Sequence, residues 1–519
     1  MSAQATFGAR AKPLLRSFGS AAVSAPFALA FVALGGCALG FFAWYGTAVR
    51  AARGFQALGD VGLIVALVAG LLVATLGWYG YGEYFARRAG IARTTALAWD
   101  APSWLAFFVP VAGLVAPARF GSPSLGLALG IALFLLAKIL VAARFVHTVR
   151  DVLTTFVVTR VSIIVVAELA SIVIAERPGL HVSESSNPLL AVWGRWDAVH
   201  YLDIATRGYY GTDMAFFPLF PALIRIVGAA LGSGLIAGLL ISNVALFFGL
   251  LFFYKLVEHQ YTRAVAHRAI FYVSIFPTAI FFSAVYTESL FFALTVASFY
   301  YIRERRWLTA GAIGFFAALT RVEGVLLVVP YAIEVAAVSG AGHRLRALGN
   351  APRATRILAG AGAIVLGLAA YMAYLWILSG DPLYFSHVQS HWNRRLSPPW
   401  TSLWHAYTVF AIGFRHNEPS IIANQAIEVA FTLLMIGIAI AGFRRLRPSF
   451  TAYMALSILV PMSTSSLMSM PRFALVLFPM FVLLALWGGK AWVNNAIVAF
   501  SLPLLGLFTV LFADWYWVA

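Results

Sequence analysis

"FFPLFPALIRIVGAAL", residues 216–231, decides how the chain is threaded. The stretch is apolar enough to pass for a membrane span, and counting it as one would reverse the side of every later loop. Its entry through Pro218 and Pro221 and its Arg225 argue instead for a helix lying along a membrane surface. The basic clusters provide a check. With residues 216–231 on the surface, "RERR" (residues 303–306) falls on the cytoplasmic side, where short basic loops belong; with a span there, it would lie outside.

Composition makes this a membrane question in the first place. Of the 519 residues 62% are hydrophobic and 11% charged, whereas a soluble domain is about 45–50% apolar and about 25% charged. Long continuous apolar runs indicate helices, because a spanning barrel would show short alternating segments. Four such segments come first, at about 24–45, 61–82, 101–118 and 123–143. Eleven follow, at about 152–175, 235–257, 266–284, 288–302, 307–319, 323–338, 357–378, 420–442, 449–466, 473–488 and 491–512. The fold expected is therefore an all-α polytopic membrane protein with about fifteen transmembrane helices.

The net charge of +17 follows from loop position. "RERR", "HRLR" (343–346), "RRLR" (444–447) and Arg87, Arg88 and Arg93 all thread to one side. No basic surface is interleaved with stacking aromatics, so a nucleic-acid partner is not expected. The lone cysteine, Cys37, allows no internal disulfide. A break near Thr148–Asp151 separates four leading helices (residues 1–147) from a core (148–519). The core has two long outer loops, at 176–234 and 379–419.

The first outer loop gathers what the rest of the chain lacks. "VWGRWDAVHYLDIATRGYYGTDMAFFPLFP", residues 192–221, holds Asp197, Asp203, Asp213, His200, Arg195 and Arg207. On a helix, His200 lies three residues from both Asp197 and Asp203, within reach of either. A carboxylate in such a partly dry place, beside other charges, has its basicity tuned and can serve as a general base. Outer turns bring Glu288, Arg321, Glu323 and Arg472 to the same side. Charges at membrane depth are costly enough to need a partner or a task. Two acids and a histidine could instead hold a divalent ion, but Asp-x5-Asp is no established ligand spacing and arginine crowds the position.

In order, "WGRWDAVHYLDIATRGY" (193–209), "FFPLFPALIR" (216–225), "SIFPTAIFFSAVYTESLFFAL" (274–294), "LTRVEG" (319–324) and "SMPRFALVLFPMF" (469–481) resemble the blocks of the PIG-V mannosyltransferases, over about residues 150–519. The resemblance implies a GT-C glycosyltransferase fold. It also implies transfer of a sugar, most readily mannose, from a polyprenyl-phosphate carrier on the non-cytoplasmic face, with inversion. It places the catalytic acid at Asp197, with His200 and Asp203 orienting it or binding acceptor. Sugar or acceptor contacts are expected from Glu288, Tyr201, Trp196, Glu323, Gln389 and Trp392. The lipid phosphate is expected on Arg472, Arg321, Arg195 and His391, since guanidinium pairs well with phosphate. No cofactor or metal is expected. The acceptor, a glycan, glycolipid or protein, is left open. The location implied is a bacterial cell membrane with the site facing outward, or the endoplasmic reticulum in a eukaryote. Two features stand outside the resemblance: the four leading helices, and Glu323, where the family usually carries a small polar residue. The rival readings are a GT-C enzyme using another sugar and a flippase for lipid-linked sugars. A flippase would distribute polar residues through the membrane midplane, not gather them at one face.

Overall fold

Residues 146–177, 184–185, 187–348 and 351–518, with isolated positions 133, 136 and 139, are described by the computed structural model. The chain divides into two units, Met1–His147 and Thr148–Ala519. The four leading helices expected from the sequence lie outside the described residues.

Helices make up the second unit. The α-helices longer than four residues are α1 (His147–Val173), α2 (Asp197–Arg207), α3 (Leu219–Leu231), α4 (Gly234–Gln260), α5 (Arg263–Ser274), α6 (Glu288–Arg303), α7 (Trp307–Ala318) and α8 (Val328–Leu348). Then come α9 (Ala351–Ser379), α10 (Pro399–His416), α11 (Pro419–Gly442), α12 (Pro448–Met462), α13 (Met470–Leu475), α14 (Phe478–Trp487) and α15 (Ala491–Ala513). Among the described residues the one β pairing is an isolated bridge between Leu396 and Thr464. Five of these helices are long and apolar enough to cross a membrane: α1, α4, residues 354–379 of α9, α11 and α15. The described residues are helical in character, and the chain is a polytopic integral membrane protein.

Several expected spans are shorter or broken. The segment 266–284 is helical only to Ser274; Pro277 follows, and a 3-10 turn covers Ala279–Phe282. The segment 323–338 begins as a 3-10 turn, Val322–Leu327. The segment 473–488 stops at Leu475 and restarts at Phe478, with Pro479 in the first turn of α14. Hydropathy does not register such interruptions, because the same residues are equally apolar in either conformation. Irregular backbone this deep needs partners from the protein itself. At the first of these breaks Arg160 of α1 supplies them, donating to the carbonyls of Ser274 (2.7 Å) and Ala279 (2.8 Å) and to the Ser283 hydroxyl (3.3 Å).

Helix α3 forms where the sequence calls for a surface helix. It packs on α2 and α4, leaves Arg225 and Ile226 exposed, and ends at Gly232 with φ 72°, a left-handed conformation that glycine adopts without strain. The second outer loop contains α10, which packs against α11. Pro399 opens that helix, and its His405, Arg415 and His416 dilute the apolar signal by which spans are recognised.

Helix α7 crosses α9 closely, where small residues let the backbones touch. A Cβ added at Gly311 would fall 2.1 Å from the Gly360 carbonyl oxygen, and one at Gly314 would fall 2.6 Å from Ile364 Cγ1. Gly311→Ala is therefore expected to force the pair apart at a cost of about 1–3 kcal/mol. The check is the apparent melting temperature of the detergent-purified variant, and an unchanged value would refute the crossing.

Helix α6 relates the two ends of the bundle. From Glu288 at its start to Arg303 at its end it rises roughly 22 Å. Arg303 (2.7 Å), Arg447 (3.5 Å) and Ser449 (2.6 Å) converge on the carboxylate of Glu334. The "RERR" and "RRLR" clusters therefore share one end, and the acid-rich turns lie toward the other.

Candidate active site

The site is built around a bend. Asp197 is the first residue of α2, and Trp196 before it has φ 60° and ψ −124°. A residue with a Cβ holds such a conformation at a cost of order 1–3 kcal/mol, so the surroundings must enforce it. The hydroxyl of Tyr286 accepts from the backbone N–H of Asp197 (3.2 Å) and donates to the carbonyl of Arg195 (3.1 Å), bridging the bend. The N–H of Val285 donates to the Trp193 carbonyl (3.1 Å). On its other side, the Trp196 ring packs on Trp515 (5.7 Å) and Trp517 (5.3 Å). These contacts set the Asp197 carboxylate at a helix N-terminus, the end that favours negative charge.

Three outer turns then meet it. Arg472 Nη1 lies 2.7 Å from Asp197 Oδ2, and Arg472 Nε lies 3.1 Å from Glu288 Oε1. Arg321 Nη1 reaches the same Glu288 oxygen at 2.9 Å, and its Nε lies 3.5 Å from Glu323 Oε2. The result is a chain of alternating charge running Asp197, Arg472, Glu288, Arg321, Glu323. The Glu288 side chain is 1% exposed and that of Asp197 23%, so the chain of charges is buried at its middle and partly open to solvent at Asp197. Burial works against the charge of Arg472, but Asp197 and Glu288 outweigh it and raise its pKa. The same holds for Arg321, opposed by burial and sustained by Glu323 and Glu288. Aromatic faces line the cations: Tyr286 (5.5 Å), Phe281 (5.6 Å) and Trp517 (5.8 Å) around Arg472, and Phe473 (5.2 Å) beside Arg321.

A second set of residues fixes Arg472. Ser469, three residues earlier, is left-handed (φ 74°). Its N–H and that of Met470 donate to the two carboxylate oxygens of Glu428 on α11, both at 3.0 Å. The Thr278 hydroxyl donates to the Pro471 carbonyl (3.0 Å). Arg394 of the second outer loop donates to the carbonyl of Met468 in the same turn.

The other residues singled out in the sequence separate into groups. His200 does not join Asp197 or Asp203. Its Nδ1 lies 2.7 Å from Asp213 Oδ1, and its ring stacks on Phe216 (4.6 Å). Helical spacing shows which residues share a face of α2, but a return of the loop brings Asp213 closer still. Asp203 pairs with Arg207 one turn on. Tyr201 is buried, with its hydroxyl 3.4 Å from Thr287 Oγ1. Trp392 meets the His200 ring edge-on at 6.2 Å, with His391 exposed beside it and Gln389 in the same short turn. Arg195 points to Glu176 (2.5 Å), to the Ala513 carbonyl and to the Trp515 ring, so its charge is engaged away from Arg472. Tyr286, Trp517, Glu428 and Arg394 were not singled out in the sequence, and Asp213 was named among the acids of the first outer loop without a role. Tyr286 lies inside a quoted motif; nothing local marks the other three. Among the described residues, no three His, Cys, Asp or Glu side chains group as metal ligands would.

An acid held beside paired arginines, at the junction of "RWDAVHY" with three outer turns, is the arrangement to be matched. Residues 133–375 match the mannosyltransferase (PIG-V) family. The PIG-V match includes Asp197, Glu288, Arg321 and Glu323 but ends before Arg472, which joins the site by geometry. The chain is also similar to two curated proteins named GPI mannosyltransferase 2, from Cryptococcus neoformans var. neoformans serotype D strains JEC21 / ATCC MYA-565 and B-3501A. Each is 30% identical over 139 residues, 24% of this chain. The chain covers about a third of the length of these relatives, 32% in each case.

Proposed function

We propose that the protein is a GT-C-type membrane mannosyltransferase that takes mannose from a polyprenyl-phosphate carrier and delivers it, with inversion, to an acceptor on the non-cytoplasmic face. The observation that carries this reading is the contact between Asp197 and Arg472, a candidate base and a cation on one wall. In the reaction, the acceptor hydroxyl oxygen bonds to the anomeric carbon as the bond from that carbon to the phosphate oxygen breaks. The proton passes to the Asp197 carboxylate, and the electron pair leaves with the phosphate. The guanidinium groups of Arg472 and Arg321 place positive charge where negative charge develops. Glu288, Glu323, Tyr201, Trp196, Gln389 and Trp392 border the sugar and the acceptor, which is a glycan, glycolipid or protein. The His200–Asp213 pair, with Trp392 at its edge, stands on the acceptor side. The PIG-V match supports mannose as the sugar, and the chain of paired charges at one end of the bundle favours chemistry over passage.

The test is direct. The full chain in lipid nanodiscs, supplied with polyprenyl-phosphate radiolabelled mannose and a membrane extract as acceptor source, is expected to form a labelled product. Because the cations at the site are guanidinium groups, EDTA is expected to leave the rate unchanged. Label moved across a vesicle membrane without any mannosylated product would favour the flippase instead.

A further inference from the structure

The cations of the reaction centre are not equally free to receive an anion. Arg472 uses Nη1 on Asp197 and Nε on Glu288, while Arg321 uses Nη1 on Glu288 and Nε on Glu323. A phosphate approaching either meets a guanidinium already shared between two carboxylates. Arg394 is different. Among the described residues no carboxylate pairs with it, and its one hydrogen bond goes to the neutral carbonyl of Met468.

The position of Arg394 is also built. The backbone around it is stitched to the loop that leads to Arg472. The N–H of Arg395 donates to Ser465 Oγ (3.0 Å), the N–H of Ser465 to the Arg395 carbonyl (3.0 Å), and the Ser465 hydroxyl to the Asn393 carbonyl (2.8 Å). Asn393 makes the turn in a left-handed conformation, φ 56°. A half-buried guanidinium held in place for a single neutral carbonyl leaves most of its donors without a protein acceptor. Burial pushes its pKa down to about 10, with Arg472 acting in the same direction and Glu428, Asp197 and Glu323 opposing, so it stays charged at neutral pH within the field of the site.

We propose that Arg394 is the seat of the phosphate of a prenyl-linked phosphate, with the accessible part of its fork closing on the phosphate oxygens. This rests on the mannosyltransferase reading above and deepens it: Arg321 and Arg472 hold the carboxylates in place and supply field, and Arg394 makes the direct contact. Guanidinium suits the task because its donors lie in a planar fork that matches phosphate.

The experiment measures binding to the full chain in nanodiscs, by thermal shift and by titration, with polyprenyl monophosphate, neutral polyprenol and inorganic phosphate as probes. The wild-type chain is expected to be stabilised by polyprenyl monophosphate and by neither control at the same concentration. Arg394→Gln is expected to weaken that binding about ten- to a hundredfold, while Arg395→Gln, at the exposed neighbour, binds like the wild type. Arg394→Lys keeps the charge and a donor for Met468. It serves if the glutamine variant does not fold, with about tenfold weaker binding expected from loss of the fork. Polyprenyl phosphate binding undiminished in either Arg394 variant would overturn the assignment, and so would an equal shift from inorganic phosphate. Such a result would leave the transferase reading standing if the wild-type chain still forms mannosylated product. Absence of polyprenyl phosphate binding by the wild type would overturn both.

Discussion

Asp197→Asn is expected to lower mannose transfer about 10²- to 10⁴-fold, the range by which a positioned general base accelerates reaction. Asparagine keeps the shape of the side chain and can still accept a hydrogen bond from Arg472, but it cannot take a proton from the acceptor hydroxyl. The fold should hold, because Arg472 retains Glu288 at 3.1 Å and the bend at Trp196 is bridged through backbone atoms, which the substitution does not alter. The competing explanation is that Asp197 serves only as the counter-ion of Arg472. A double variant separates the two. If Asp197 acts only through Arg472, adding Arg472→Gln to Asp197→Asn removes the stranded charge and changes the rate little beyond either single variant. If Asp197 takes the proton, the double variant falls below the Arg472→Gln variant by nearly the full factor. Comparable turnover by Asp197→Asn and the wild type would remove the base from the mechanism altogether.

The sequence carries the coarse architecture of this site and omits its closing contacts, for reasons that particular residues illustrate. Apolar run length locates α1, α4, α9, α11 and α15, because spanning a bilayer demands that length of any sequence. The loop charge pattern separates the end holding Arg303 and Arg447 from the end holding Glu288. Unpaired charge is so costly in such a chain that Asp197, Glu288, Arg321, Glu323 and Arg472 stand out without any knowledge of how they meet. What the sequence does not carry is distance. His200 pairs with Asp213, thirteen positions away, instead of the acids on its own helix face. Trp517 reaches Arg472 from the end of α15, and Glu428 reaches Ser469 from the middle of an ordinary-looking span. Each of these depends on how one helix is rotated against another, which hydrophobic pattern leaves undetermined when every face is apolar. The broken segments at Ser274, Val322 and Leu475 are hidden for a related reason: hydropathy is a property of residues, and the breaks belong to the backbone.

Glu288→Ala is expected to be the most destabilising single change in the chain of charges, and by a mechanism distinct from that of Asp197. One carboxylate oxygen of Glu288 meets Arg321 at 2.9 Å and Arg472 at 3.1 Å, in a side chain 1% exposed. Removing it leaves two guanidinium groups facing one another where little water can enter. Breaking a buried pair from one side costs about 3–5 kcal/mol, mostly through the uncompensated charge that remains. Arg472 keeps Asp197 and Arg321 keeps Glu323 at 3.5 Å, so the loss should stop short of unfolding the outer turns completely. The measurement is the apparent melting temperature in detergent, expected to fall by several degrees. A partner variant gives the sign check. Glu288→Ala combined with Arg321→Met removes one charge of each kind and should recover part of the loss, because the orphaned cation is gone. If Glu288→Ala melts with the wild type, or if the second substitution deepens the loss by its full separate cost, Glu288 is not the charge that holds the two arginines together.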